Sequence, residues 1–423
     1  GVGVPVGQTA ALVSALYLAT AIAQPTAGKA AEVLGPRRVF LAGITLVGIG
    51  GLAGGFAGDL ITLLVSRVLI GLGTSCAYPT AMLLIRRRAA EAGMDQPPGG
   101  VLGGLMIAGI ATASLGLPVG GVLVGLFGWR SVFFVNVPVA LVALLATLAW
   151  VRPDGPLHES RHEPLRFRDL AARLDLAGIT GFALAMAALL LFLFGLPAAN
   201  WPLLGVSAVL WTALAAWELR ASTPFIDIRM LRSNRALTRT YLRFGLAMLC
   251  LYVVLYGITQ WIEAVRGLSE TESGLIVLPM TVLSGLVVSL VSKRNLVRGP
   301  VVGTAAACLA GSAGVLFLGG SIWIGWIVII TMIFGVASGL AATGNQTALY
   351  SQAPAEQLGT ASGLLRTFGY VGSIASSAVT GIVFHSRVTD GGVHLIGWIM
   401  IGVSLVLIGV SAGDRALPGR TGG

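Results

Sequence analysis

His158, Glu159 and His162 stand at the H-E-x-x-H spacing with which zinc peptidases hold a metal ion and set a general base beside it. That chemistry needs a stable helix that turns both histidines to one face, and a third ligand. The motif here lies between Pro156 and Pro164 in an arginine-rich stretch, and a helix that short is marginal in water. No metal site is expected. Cys76, Cys250 and Cys308 fall far apart in separate apolar runs and read as small packing residues, without disulfide or metal spacing. Arg67 carries more chemical weight. It sits inside Leu64-Val65-Ser66-Arg67-Val68-Leu69-Ile70-Gly71-Leu72-Gly73, where a charge in a membrane span costs at least about 2.5 kcal/mol and is functional by default. At 1.5 Å per residue it lies ~10 Å from the nearer span end, deep for snorkelling.

The elements that position these residues are membrane helices. Of 423 residues, 56% are apolar and only 10% charged, too few charges to build the aqueous surface of soluble domains. A transmembrane barrel would alternate apolar and polar residues, whereas these runs are apolar all round. Stretches long enough to cross a bilayer fall at roughly 9–27, 39–57, 60–85, 100–126, 131–151, 174–196, 202–219, 240–264, 272–292, 299–320, 323–349, 359–384 and 394–413. Thirteen spans are thus expected. The 59 glycines suit helices whose backbones approach closely in lipid.

The 27 basic residues set the sides. Alternate loops hold 22 of them, including Lys29, Arg37, Arg38, Arg86–Arg88 and Arg239, and the opposite loops hold Arg130, Arg266 and Arg387. Basic loops are cytoplasmic, so residue 1 is expected outside and residue 423 inside. The net charge of +10 then reflects membrane anchoring. No basic stretch is interleaved with aromatics as a nucleic-acid site requires. Most tryptophans, among them Trp129, Trp150, Trp201, Trp217 and Trp323, stand at span ends, as an interfacial belt does.

Four local patterns point to one family. Gly28, Glu32, Gly35, Arg37 and Arg38 form G-x-x-x-E-x-x-G-x-R-R between the first two spans. Arg67, Gly71 and Gly73 form R-x-x-x-G-x-G. Gly116, Pro118, Gly120 and Gly121 form G-x-P-x-G-G, in which the proline would kink the helix. Trp129-Arg130 through Phe133, Asn136 and Pro138 form W-R-x-x-F-x-x-N-x-P. Together they resemble the major facilitator superfamily, and within it the fourteen-span drug:proton antiporters. The proline of the third pattern is displaced by one from the antiporter signature. The signature loop of the family joins its second and third spans, so the chain is expected to represent a fourteen-span transporter read from its second span onward.

The resemblance implies an all-α polytopic membrane protein with two pseudo-symmetric bundles and a two-span linker. The expected division is 1–152 for the N-terminal bundle, 153–222 for a cytoplasmic loop and the linker spans, and 223–423 for the C-terminal bundle. It also implies a proton-coupled exporter of small lipophilic or cationic drugs in the bacterial cytoplasmic membrane, working by alternating access. Glu32, Arg37 and Arg38, with Gly28 and Gly35, would latch the cytoplasmic side, Glu32 facing the N-terminus of the span that begins near Gly359. Arg67 and Glu263 would serve the proton relay, and Tyr17, Gln260, Trp261, Asn345 and Gln346 would line the substrate cavity. Protons would be the coupling ion, with no other cofactor. A monomer is expected, with an envelope adaptor or outer-membrane partner left open. No catalytic cluster of an enzyme is apparent. Two other readings are an exporter dedicated to a self-made antibiotic or metabolite, and a non-transporting receptor or scaffold on the same fold.

Overall fold

The computed structural model describes residues 6–94, 97–155, 167–196, 200–294 and 296–414. These are helical, without strands. The first group comprises α1 (Val6–Leu34), α2 (Pro36–Gly55), α3 (Leu60–Ser75), α4 (Ala77–Glu91), α5 (Gly99–Phe127), α6 (Ser131–Phe134) and α7 (Asn136–Trp150). A middle group follows: α8 (Phe167–Leu174), α9 (Leu176–Phe194) and α10 (Trp201–Glu218). The last group holds α11 (Ile228–Ser233), α12 (Arg235–Tyr252), a π turn (Val253–Ile258), α13 (Thr259–Arg266), α14 (Glu270–Val291), α15 (Arg298–Val315), α16 (Ile324–Gln352), α17 (Leu358–Val383) and α18 (Asp390–Ala412). The His158–His162 pattern lies outside the described residues.

Eight helical segments among the described residues are long and apolar enough to cross a membrane. The segment Ser131–Trp150 has a mean hydropathy of 2.4 with only 17% of its window buried. Its Val139, Leu141, Val142 and Leu145 stand exposed on a continuous apolar face, which suits lipid and not water. The ends of the helices are fixed by short-range chemistry. Asp59 accepts a hydrogen bond from the Thr62 amide at 2.9 Å to cap α3. Ser269 and Glu272 form a reciprocal capping box at the start of α14. Gly35 precedes the proline that opens α2 and has φ 97°, a left-handed conformation that side chains avoid.

Small residues set the spacing of the helices. A Cβ on Gly73 would meet Gly43 O at 2.5 Å, and one on Gly372 would meet Gly245 O still closer, so α2/α3 and α12/α17 pack backbone to backbone. The W-R-x-x-F-x-x-N-x-P run joins α5 to α7 and packs the first bundle together. Phe133 fills the space left by Gly54, Arg130 donates to Ala57 O at 3.3 Å, and Asn136 donates to Val132 O and Phe133 O at 3.1 and 3.0 Å.

The middle pair is tied to the last bundle by Asp175. This residue adopts φ 52°, and its carboxylate accepts from Gly178 N at 3.0 Å, Trp217 Nε1 at 2.9 Å and Phe225 N at 3.0 Å. The three bonds compensate an unusual backbone for a residue with a Cβ. Trp217 is therefore a hydrogen-bonding side chain as well as an interfacial one, and Trp211 packs edge-on against Phe182 with centroids 5.6 Å apart.

Candidate functional site

α4, α5, α12, α14, α16 and α17 surround a cavity of about 290 Å³ between the first and last bundles. Apolar side chains cover most of its wall, among them Met106, Phe244, Met248, Leu251, Met280 and Leu365. Its polar groups are Tyr78, Tyr252, Thr281, Ser284, Ser338, Gln346 and Arg366. An apolar lining with a few convergent polar groups is the usual form of a small-molecule site. The guanidinium carbon of Arg366 lies 4.0 Å from the ring centroid of Tyr78, a cation–π pair. The Tyr78 hydroxyl donates to Gln346 Oε1, and Gln346 Nε2 approaches the sulfur of Met82. The π turn Val253–Ile258 begins just after Tyr252, and its Leu255 also lines the wall. Such turns interrupt the regular ladder and often mark functional positions.

Below the cavity, toward the arginine-rich end, the bundles close. A Cβ on Gly28 would clash with Gly359 O, and one on Gly363 would clash with Gln24 O. On the other side of the seam, Gly103 leaves room for the Ser292 side chain. Glu32 crosses the seam: it accepts from Thr360 N at 2.6 Å, and Thr360 Oγ1 donates to it at 3.0 Å. The acceptor thus sits on the first turn of α17, where a helix favours an anion. Burial in this loop-end position pushes the Glu32 carboxyl up to about 7, against the opposing pull of the Thr360 bonds and Lys29. Lys29 Nζ donates to Pro224 O at 3.0 Å, and the Tyr350 hydroxyl donates to Met82 O at 2.8 Å. Thr367 Oγ1 donates to Ala21 O at 2.9 Å nearer mid-depth. These hydrogen bonds between the first and last bundles lie at this end or at mid-depth.

Arg37 and Arg38 behave differently from the expected cross-bundle latch. Their backbone amides donate to Asp154 at 3.3 and 2.9 Å. Arg38 Nη2 donates to Gly155 O at 3.1 Å, and Arg87 pairs with Asp154 at 3.3 Å. Asp154 caps α2 and also packs against Gly35. The two arginines therefore brace the first bundle internally, their amides bonded to Asp154 and their guanidiniums to Leu148 O and Gly155 O. Among the described residues, Glu32 hydrogen-bonds across the seam whereas Arg37 and Arg38 do not.

The expected relay residues are not brought together. Arg67 is half-buried with its guanidinium 4.5 Å from the Phe133 ring centroid, and its Nε is buried without a hydrogen-bond partner. Glu263 is half-buried on α13 in the other bundle. No ion pair among the described residues includes either. Of the expected cavity residues, Gln346 lines the wall. Tyr17 packs near Tyr370, centroids 6.2 Å apart. Asn345 is buried, donates to Ala341 O at 2.9 Å, and leaves Oδ1 unpartnered. Gln260 is exposed. Trp261 is fully buried in the outer core, where its indole N–H donates to Asp390 Oδ1 at 2.9 Å, so its polar edge is already committed away from the cavity. Gly116 and Gly120 stand on α5 with open space where a Cβ would be, so no helix of the described residues packs against them. Pro118 and Gly121 belong to the same helix, with side-chain surroundings outside the described residues. Sequence reasoning missed Tyr78, Thr281, Ser284 and the cavity role of Arg366. A charge within the span beginning near Gly359 was the one signal available for them.

Comparison with known proteins gives a consistent picture. The sequence profile of the Major Facilitator Superfamily matches residues 1–377. The chain is 32% identical over 404 residues to the "Uncharacterized MFS-type transporter YwoD" of Bacillus subtilis, covering 94% of this chain and 87% of that protein. It is 31% identical to the "Tetracenomycin C resistance and export protein" of Streptomyces glaucescens, covering 88% of this chain and 68% of that one. It is 29% identical to the "Multidrug resistance protein Stp" of Mycobacterium tuberculosis, with the same coverages of 88% and 68%. Among solved structures, the human organic anion transporter MFSD10 (TETRAN) superposes with a TM-score of 0.69 at 16% identity, over 95% of this chain and 83% of that chain. At that identity the likeness is one of fold.

Proposed function

The chain belongs to the Major Facilitator Superfamily, and we propose that it exports small lipophilic organic molecules from the bacterial cytoplasm by alternating access, coupled to inward proton movement. The observation that carries this reading is the cavity of about 290 Å³ between two bundles that are sealed at the arginine-rich end. In this reading the arginine-rich end is cytoplasmic, the first described residues face outward and the C-terminus faces inward. The bundles are then in an outward-facing arrangement, with substrate leaving as the seam closes beneath it. Two bundles closing around a midplane site is the common plan of such transporters. The helix order also supports thirteen spans of a fourteen-span architecture, with α9 and α10 as the linker pair.

Relatives named for tetracenomycin C export, multidrug resistance and methylenomycin A resistance support a drug-type cargo. The two antibiotic-resistance names also support a second reading, an exporter dedicated to one antibiotic or metabolite. The proposed coupling rests on Arg67, whose buried, unpaired Nε is costly unless it serves a charge that comes and goes. Efflux from cells expressing the chain is the test. Export should require an intact proton gradient and stop with a protonophore. Arg67→Ala should abolish the protonophore-sensitive part, whereas Phe133→Leu should leave most of it. Equal efflux by wild type and Arg67→Ala would remove Arg67 from the coupling.

A further inference from the structure

The charge of the cavity speaks to the class of cargo. Among the described residues, Arg366 is the one charged side chain on the cavity wall, and no carboxylate lines it. It makes no ion pair among the described residues. The described carboxylates all stand near helix ends: Glu32, Glu91, Asp154, Asp175, Glu218, Asp227, Glu356 and Asp414 at the arginine-rich end, and Asp59, Glu263, Glu272 and Asp390 at the other. A cation this deep in a membrane protein is expensive unless something answers it. The Tyr78 ring supplies part of that answer through its face, but a ring carries no net charge. A guanidinium also presents a planar fork that matches a carboxylate with two parallel hydrogen bonds. Around it the wall is thioether, aliphatic and aromatic, from Met106, Phe244, Met248 and Met280, which suits a ring system.

We propose that Arg366 is the recognition group for an anionic cargo: a lipophilic aromatic acid, its carboxylate or phenolate held by the guanidinium and its rings by the methionine- and phenylalanine-lined wall. This rests on the export reading above and replaces the expected cationic drug with its opposite in charge. A lipophilic cation would enter a cavity that already holds one positive charge and offers no acid to offset it. An anion also gains from the membrane field on its way out: about 2.3 kcal/mol per charge per 100 mV.

The test uses the full chain, purified and in proteoliposomes, with two probes of matched shape: naphthoate and a trimethyl-naphthyl-ammonium. Wild type should bind and move naphthoate at least tenfold better than the cation. Arg366→Gln should lose about tenfold to a hundredfold in naphthoate affinity, while keeping a wild-type elution profile and melting temperature. Arg366→Glu should reverse the preference toward the cation, which general misfolding cannot do. If wild type moves the cation and ignores naphthoate, the charge inference falls and the export reading stands. If naphthoate binds in an Arg366-dependent way but is never moved, the export reading falls and the charge inference stands. Naphthoate binding that survives Arg366→Gln overturns the assignment of Arg366.

Discussion

In the proposed transport cycle Glu32 would occupy two environments, and its chemistry would differ between them. With the seam closed it is buried against the first turn of α17, and its carboxyl is raised from the ordinary value of 4.5 to about 7. With the seam open it would be solvated and return toward its ordinary value. Closing therefore takes up a proton between those two values. The sign follows from linkage: the closed state is favoured as pH falls from about 7, and the effect levels off below the ordinary carboxylate value. Spin labels at Ala90→Cys and Ala355→Cys, exposed on the two sides of the seam, would report it. Their short-distance population should grow as pH is lowered from 8 toward 5, and Glu32→Gln should flatten that dependence. Glu32→Gln retains one acceptor for Thr360 N, so it should leave expression intact while cutting efflux. A population unmoved by pH in the wild-type chain would remove the proton from the latch.

At the scale of helices, the seam between α1 and α17 depends on the absence of side chains. A Cβ at Gly363 would press on Gln24 O and sit 2.6 Å from Pro25 Cα, both backbone atoms that cannot turn aside. Overpacking of this kind costs about 1–3 kcal/mol, and each 1.4 kcal/mol is tenfold in an equilibrium. Gly363→Ala should therefore shift the chain roughly fivefold to a hundredfold away from the closed seam, lower efflux, and widen the Ala90–Ala355 distance without unfolding the bundles. Gly116→Ala, which meets nothing within 4 Å, should do none of this. The same contrast shows what could be read from the sequence. Glycine and proline at fixed offsets mark backbone requirements, so the loop at Gly28–Arg38 and the approach of Glu32 to the start of α17 were legible. The partner of Arg37 and Arg38 was not, because Asp154 lies more than 110 residues away and nothing local announces it. The break of α3 from α4 at Cys76 and the π turn at Val253–Ile258 were equally silent, since an apolar run looks the same whether its ladder is regular or bulged. Trp261 misled for a related reason. A tryptophan near a span end reads as cavity or interface, and only its bond to Asp390 shows that it belongs to the core.

For the molecule as a whole, charge placement and packing point the same way. The described basic residues of the Arg-rich loops, among them Lys29, Arg37, Arg38, Arg86, Arg87, Arg88 and Arg239, stand at the end where the bundles are sealed. There Arg239 and Arg243 both pair with Asp414, at 3.1 and 2.7 Å. The opposite end holds few basic residues and is organised by Asp390, which accepts from Trp261 Nε1 and from Gly320 N at 3.0 Å. Basic loops resist translocation, so the sealed end should face the cytoplasm. Two exposed positions test this, Ser321 near Asp390 and Ala92 after α4. With Cys76, Cys250 and Cys308 replaced, Ser321→Cys should react with a membrane-impermeant thiol reagent in intact cells. Ala92→Cys should react only after permeabilisation. The reverse pattern would place the sealed end outside. The arrangement would then be inward-facing, and Glu32 would sense the external pH and not the cytoplasmic one.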